Sequence, residues 1–298
     1  MVLFLSQKPD NGCLRSSSQC QFIFSHEDIE YKITVEQSAV RQITISSSPE
    51  KTTSRNLLNV FYSLDTLLML FDGQFYPVNV ALENNVDITP SFQNRIASYK
   101  SADFVIGAGN ILIDYENILS SQLLKKLIDL REELDLIHNM VLYCLSNVTM
   151  PVDMKCAFLT ESFLGLSELA NEKNVDFSLP TIHKRESKLK KYLTSIIEFY
   201  GQDIFNKECE KNKEQFAKII VDSRNRIAHI KSKQNQRYLS GSESVLYLGK
   251  LSLLYRVVLF NLLEIPRESY NGKLRMRTDA LNQWQGILSN FLQALSDK

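Results

Sequence analysis

The spacing of apolar residues changes at residue 54, and that change constrains the fold more than any other feature of the chain. Before it, CQFIFS, YKITVEQ and VRQITISSS place Ile, Val, Phe, Tyr and Thr in partial alternation between polar breaks. Strand side chains point to alternate faces, so this pattern predicts half-buried strands. After it, Leu57, Leu58, Phe61, Leu64, Leu68 and Phe71 recur at every third and fourth position, which predicts a helix with one buried face. Residues 73–113 hold Gly73, Pro77, Pro90, Gly107 and Gly109 and are expected to form short strands and loops. From about Asp114 onward helical spacing dominates. Helices are expected near 117–147, 151–173, 183–205, 211–232, 241–264 and 277–296, with Pro151 at a helix start and connectors at Ser178–Pro180 and Ser240–Ser242. The predicted class is α+β, mainly α: a β-rich N-terminal region over 1–113, then an all-α region over 114–298.

A chain of 298 residues can bury a sizeable core. Its formal charge is zero, so no whole-molecule field draws it to nucleic acid, and any such binding needs a local basic patch. Five cysteines occur, at 13, 20, 144, 156 and 209, with no CxxC pair. That odd, scattered set argues against a disulfide framework or structural zinc and predicts a reducing, cytoplasmic setting. The histidines at 26, 138, 183 and 229 show no metal-ligand spacing, so neither a metal nor a cofactor is expected. Asp135 and His138 share a helix face that is expected to be solvated. The apolar run Leu57–Phe71 contains Asp65, and Val245–Ile265 contains Lys250 and Arg256. Both are expected as buried core helices rather than membrane spans. The N-terminal MVLFLSQKPDNGC lacks the basic flank and long apolar run of a signal peptide.

The stretch VDSRNRIAHIK, residues 221–231, carries the one constellation that suggests chemistry. On a helix at about 100° per residue, Phe216, Ile219, Ile220, Ile227 and Ile230 fall together as the expected buried face. Asp222, Asn225 and His229 fall together opposite them, and Arg224 lies on the flank. Arg224 and His229 are then about 140° apart, so they converge only if the helix distorts or a second copy supplies the missing side. Asn225 and His229, at i and i+4, can meet directly. The flank is basic and free of acids from Ser223 to Gly241, with Arg224, Arg226, Lys231, Lys233 and Arg237, and Tyr238 can stack on a base. Upstream, Lys184, Arg185, Lys188, Lys190 and Lys191 form a second patch suited to a phosphate backbone. The triplet Ser54-Arg55-Asn56 repeats SRN with no His downstream, so the triplet alone carries no weight.

These residue types fit one reaction. A histidine can take a proton from a ribose 2′-OH and return one to the leaving 5′-oxygen. An arginine can grip the phosphate with two donors and offset the charge of the transition state. An amide can orient either group. The outcome is metal-independent RNA cleavage to a 2′,3′-cyclic phosphate, which DNA cannot undergo.

Arg224-Asn225-Arg226-Ile227-Ala228-His229 matches the R-x4–6-H motif of the HEPN superfamily. IIVDSRNRIAHIK resembles the motif helix of ApeA-like HEPN domains, LYLGKLSLLYRVVLFNLLEI resembles the long apolar helix that follows it, and LTESFLGLSELA places a Glu at a comparable position. The resemblance covers about residues 150–298. It implies a HEPN-type helical bundle, a homodimer whose paired motifs form one cleft, and an endoribonuclease of abortive-infection defence against phage that cuts RNA such as tRNA. It assigns Arg224 and His229 as the catalytic pair with Asn225 beside them, and Glu161 and Asp222 as supporting residues. Arg226, Lys231, Lys233, Arg237 and Tyr238 are the expected RNA-binding residues. The β-rich region would sense a phage-derived trigger. The spacer Arg226–Ala228 lacks the aromatic common in ApeA-like motifs, which leaves substrate preference open. Two other readings stand beside this one: a non-catalytic HEPN module that binds RNA or a nucleotide, and a dimerising sensor or interaction scaffold.

Overall fold

The computed structural model describes residues 1–7, 18–38, 40–93, 111–145, 150–172, 188–230 and 236–296. Helix 183–205 and the patch at Lys184 and Arg185 therefore lie partly outside the described residues, as do Lys231 and Lys233. The chain forms two compact units, Met1–Glu132 and Glu133–Leu145 with Met150–Lys298. The division falls after the 113/114 boundary read from the sequence, for a physical reason. Leu112 N–H donates to Phe71 O, Tyr115 OH donates to Gln37, and the helix at 121–129 packs on the first helix and on a strand. All these contacts tie residues 111–129 to the sheet and the first helix.

The first unit is an antiparallel six-stranded sheet. Its strands are β1 (Val2–Gln7), β2 (Ser18–His26), β3 (Ile29–Gln37), β4 (Arg41–Ser47), β5 (Val78–Glu83) and β6 (Val86–Asp87), in the order β2-β3-β4-β1-β5-β6. Strand β3 shows why: Ile29, Tyr31, Ile33, Val35 and Gln37 are buried while Glu30, Lys32 and Glu36 are exposed, the period of two that one buried face demands. Glu27–Asp28 and Asn84–Asn85 close the β2–β3 and β5–β6 hairpins with positive φ at both central residues, the backbone that suits the twist of a two-residue hairpin.

Helix α1 (Ser54–Asp72) buries Leu57, Phe61, Leu64, Leu68 and Phe71, as its spacing predicts. The SRN triplet at its start has a structural job: Thr53 and Asn56 form a reciprocal capping box that satisfies two otherwise open N–H groups. Gly73 ends the helix in the left-handed region and donates to Met69 O. A short helical turn α2 (Pro90–Gln93), a 3-10 turn (Tyr115–Asn117) and α3 (Ser121–Asp129) complete the unit. Its core holds a charged network. Arg41, 1% exposed, pairs with buried Asp72 and donates to Gln37 and Gln7, while Gln7 donates to Asp65. Each nitrogen of the Arg41 guanidinium and the Gln7 amide thus finds an acceptor.

The second unit is helical: α4 (Arg131–Leu145), α5 (Val152–Glu172), α6 (Lys188–Tyr200), α7 (Gln202–His229), α8 (Gly241–Leu262), α9 (Asn271–Asn282) and α10 (Gln285–Ser296). Two expected helices are thus pairs. Residues 117–147 break at Leu130, and 277–296 overlap two helices that meet at Gln283–Trp284. Helix α7 packs against α5, α6 and α10, and Phe216, Tyr247 and Phe291 interlock at centroid distances of 4.7–6.1 Å to join α7, α8 and α10. Among the described residues one helix, α8, is long and apolar enough to cross a membrane, and most of it is buried in the bundle. Its two basic residues are fully buried, with Lys250 Nζ 2.6 Å from Glu208 Oε1 and Arg256 over the Phe260 ring.

His138 is a correction. It does not share a solvated face with Asp135. It is 8% exposed, with Nδ1 3.1 Å from Tyr255 OH, while Asp135 is exposed and accepts from Asn139. Residues at i and i+3 on a helix diverge by about 60°, enough here to put one inside and one outside.

Candidate functional site

Helix α7 is broken where its sequence provides a restart. Asn212 has an extended backbone (φ −168°, ψ 89°), and its side chain accepts from Gln215 N–H at 3.0 Å, so it caps the segment that carries the motif. Phe216, Ile219 and Ile220 anchor that segment in the core. The expected stripe ends early. Ile227 is half-buried, and Ile230 is 93% exposed, with φ 49° and ψ 40° in the left-handed region. Helix α7 stops at His229, and the turn at Ile230 carries its side chain off the buried face.

Arg224, on the flank, reaches in two directions. Its Nη2 pairs with Glu161 on α5, and its Nη1 donates to Asn225 Oδ1 at 2.7 Å. The arginine side chain is 16% exposed and that of Glu161 31%. Adjacent helical residues do not face one another, so the second bond means that the long Arg224 side chain bends toward the face holding Asn225 and His229. His229 is exposed at the last helical position. Among the described residues no hydrogen bond or ion pair joins it to Arg224. The structure therefore gathers Arg224, Asn225 and Glu161 and leaves His229 one turn away. Asp222 pairs locally with Lys218 at 3.7 Å, i to i+4.

The basic flank is only partly available. Arg226 lies over the Tyr238 ring at 5.0 Å, an exposed cation on a flat aromatic face. Arg237 pairs with Glu243 and donates to Tyr238 O. Glu243, only 5% exposed, also accepts from Ser240 N–H in the capping box of α8, so Arg237 fastens a helix start. In the upstream patch, Lys190 pairs with Glu214 at 2.7 Å.

Beside Arg224 lies a cleft of about 210 Å³ between α5, α7 and the start of α8. Asp153, Cys156, Ala157 and Thr160 on α5 face Ile220, Ser223, Arg224 and Ile227 on α7, both sets at i, i+3, i+4, i+7. Sequence reading missed it because its walls come from three segments, and only their one-sided spacing could have hinted at it. Among the described residues no group of three or more His, Cys, Asp or Glu side chains could hold a metal ion.

Comparison with curated proteins and with solved structures found no match to the chain. Comparison with family models matched residues 160–269 to the Apea-like HEPN family. That span runs from the end of the cleft wall on α5, through Glu161 and the whole of the motif, to the turn after α8. Residues 160–269 are thus similar to an Apea-like HEPN domain.

Proposed function

We propose that the chain is a HEPN endoribonuclease that cuts RNA, tRNA among the candidates, in abortive-infection defence against phage. The carrying observation is the Arg224 guanidinium drawn toward the polar face of the motif helix by Asn225, with His229 exposed on that face one turn on. His229 would take the proton of a ribose 2′-OH. The freed oxygen attacks phosphorus, the bond to the 5′-oxygen breaks, and the imidazolium returns its proton to that leaving group. Arg224 would grip the phosphate and offset the charge that builds on its oxygens. It must first exchange Glu161 for phosphate. RNA and a second copy of the chain are the proposed partners, the copy paired through the HEPN domain so that each motif completes the other. The setting is cytoplasmic, and the sheet unit would carry the response to a phage-derived trigger.

The test is cleavage of end-labelled tRNA in excess EDTA by wild type and His229→Ala. Cleavage by wild type alone, leaving cyclic-phosphate ends, is the expected result. Equal cleavage by both refutes the assignment of His229. A second reading, an RNA-binding module without catalysis, is favoured by the Glu161 pair, which leaves Arg224 engaged within the single chain. RNA binding without cleavage in a dimer would support it.

A further inference from the structure

The cleft beside Arg224 has a use that the motif does not explain. Protein interiors close-pack, and this junction stays open because Ala157, Ser223 and Ser244 are small where three segments meet. Ligand pockets for drug-sized molecules run to roughly 300–1,000 Å³. A cleft of about 210 Å³ suits a single ring system instead. Its floor is apolar, from Cys156, Ala157, Ile220 and Ile227. Floor hydroxyls are already committed: Ser223 Oγ donates to Ile219 O and accepts from Leu239 N–H, and Thr160 Oγ1 donates to Cys156 O. At the rim, Arg226 stacked on Tyr238 offers a flat face of the kind on which bases stack. Ile230, a β-branched residue in the left-handed region, stands exposed at the mouth, an arrangement that costs locally.

Asp153 is the carboxylate of the lining, and it has acceptor capacity to spare. It is exposed, and its Oδ1 accepts from Met154 N–H. A carboxylate only accepts, so the ring it selects must present N–H groups. Guanine alone among the four RNA bases sets two N–H donors side by side, N1–H and N2–H, on the edge that pairs in a duplex. Uracil presents one ring N–H there, and cytosine and adenine one amino group each. Arg224 belongs to both places, lining the cleft and heading the motif, so a phosphate held by it sits next to a base held in the cleft.

From this geometry we infer that the cleft is a base subsite that selects guanine next to the scissile phosphate, with Asp153 as the specificity-determining residue. The inference rests on the ribonuclease reading above for the word scissile, but base selection is measurable without catalysis. Guanosine, adenosine, cytidine and uridine 3′-monophosphates would be titrated calorimetrically against the full chain in EDTA. Guanosine monophosphate is expected to bind about tenfold more tightly than the others, the discrimination of one two-pronged contact. Asp153→Asn should erase that preference, while its thermal midpoint and its affinity for inorganic phosphate stay at wild-type values. Four equal affinities, or a preference untouched by Asp153→Asn, overturn the inference. Cleavage of RNA without regard to base would do so as well while leaving the ribonuclease reading intact. Guanine preference in a chain that never cleaves would sink that reading and keep the subsite.

Discussion

His138 makes the bundle sensitive to acid in a calculable way. The imidazole is buried, its Nδ1 meets Tyr255 OH, and its Nε2 has no partner among the described residues. An imidazolium needs an acceptor at both nitrogens, and burial alone lowers the His138 pKa from 6.5 to about 4. The folded state therefore binds fewer protons than the unfolded one between these values. His138's contribution is fully present above pH 6.5 and is lost as the pH falls toward 4. Linkage gives a loss of about 2 kcal/mol by about pH 5, and about 3 kcal/mol once the pH is below both values. His138→Gln keeps an acceptor for Tyr255 OH and cannot ionise in this range. The sole tryptophan, Trp284, lies between α9 and α10, so its fluorescence reports unfolding of the helical unit. Urea midpoints at about pH 7.5 and 5 should converge for the variant by about 2 kcal/mol relative to wild type. An identical pH dependence in both proteins refutes the reasoning, because other groups titrate alike in the two.

Two further perturbations test the ion pairs around the motif helix. Glu208→Leu or Lys250→Met alone should cost about 3–5 kcal/mol, since each strands a buried charge, whereas the double variant should recover most of that loss apart from the orphaned Tyr247 hydroxyl, which donates to Glu208. Additive losses in urea unfolding would refute this. Glu161→Gln removes the anion that competes with phosphate for Arg224. RNA affinity, measured by anisotropy in a His229→Ala background, should rise about fivefold with a stability loss under about 1 kcal/mol, and weaker binding would show that Glu161 aids the RNA complex.

The elements legible in the sequence are those with one face in the core. Strands β2, β3 and β4 and helix α5 follow their periodicity because each buries one stripe; α8 is the exception, legible from an unbroken apolar run that is buried all round from Leu246 to Phe260. The expected helix 183–205 runs past Gly201, where α6 gives way to α7, and two other breaks that escaped reading lack such punctuation. Leu130 and Gln283–Trp284 end helices without Gly or Pro. Asn212 is the opposite case. A capping residue stands where the motif segment begins, which is why a start near 211 could be read. Residues 111–129 are helical or irregular by local pattern yet attach to the first unit through Leu112, Tyr115 and α3, contacts between residues far apart in the chain that a local pattern does not carry.

The motif tells the same story at the scale of single side chains. A helical wheel puts Arg224 and His229 about 140° apart, and that angle describes Cα positions correctly. It says nothing of where the functional groups end. A guanidinium sits at the tip of a long, flexible side chain, and its resting place is fixed by whatever acceptors lie within reach. Here those are Asn225, on the histidine's own face, and Glu161, on another helix. The first acceptor was available to sequence reasoning, since an Asn follows the Arg directly. The second was not, because its distance from Arg224 along the chain carries no local signal. The two acceptors pull differently. Asn225 is neutral and can keep its bond while a phosphate binds, whereas Glu161 is an anion that a phosphate must displace. If the site works as proposed, Asn225 sets the direction of the guanidinium and Glu161 sets how readily it leaves its resting partner, so Asn225→Ala should weaken cleavage where Glu161→Gln strengthens binding.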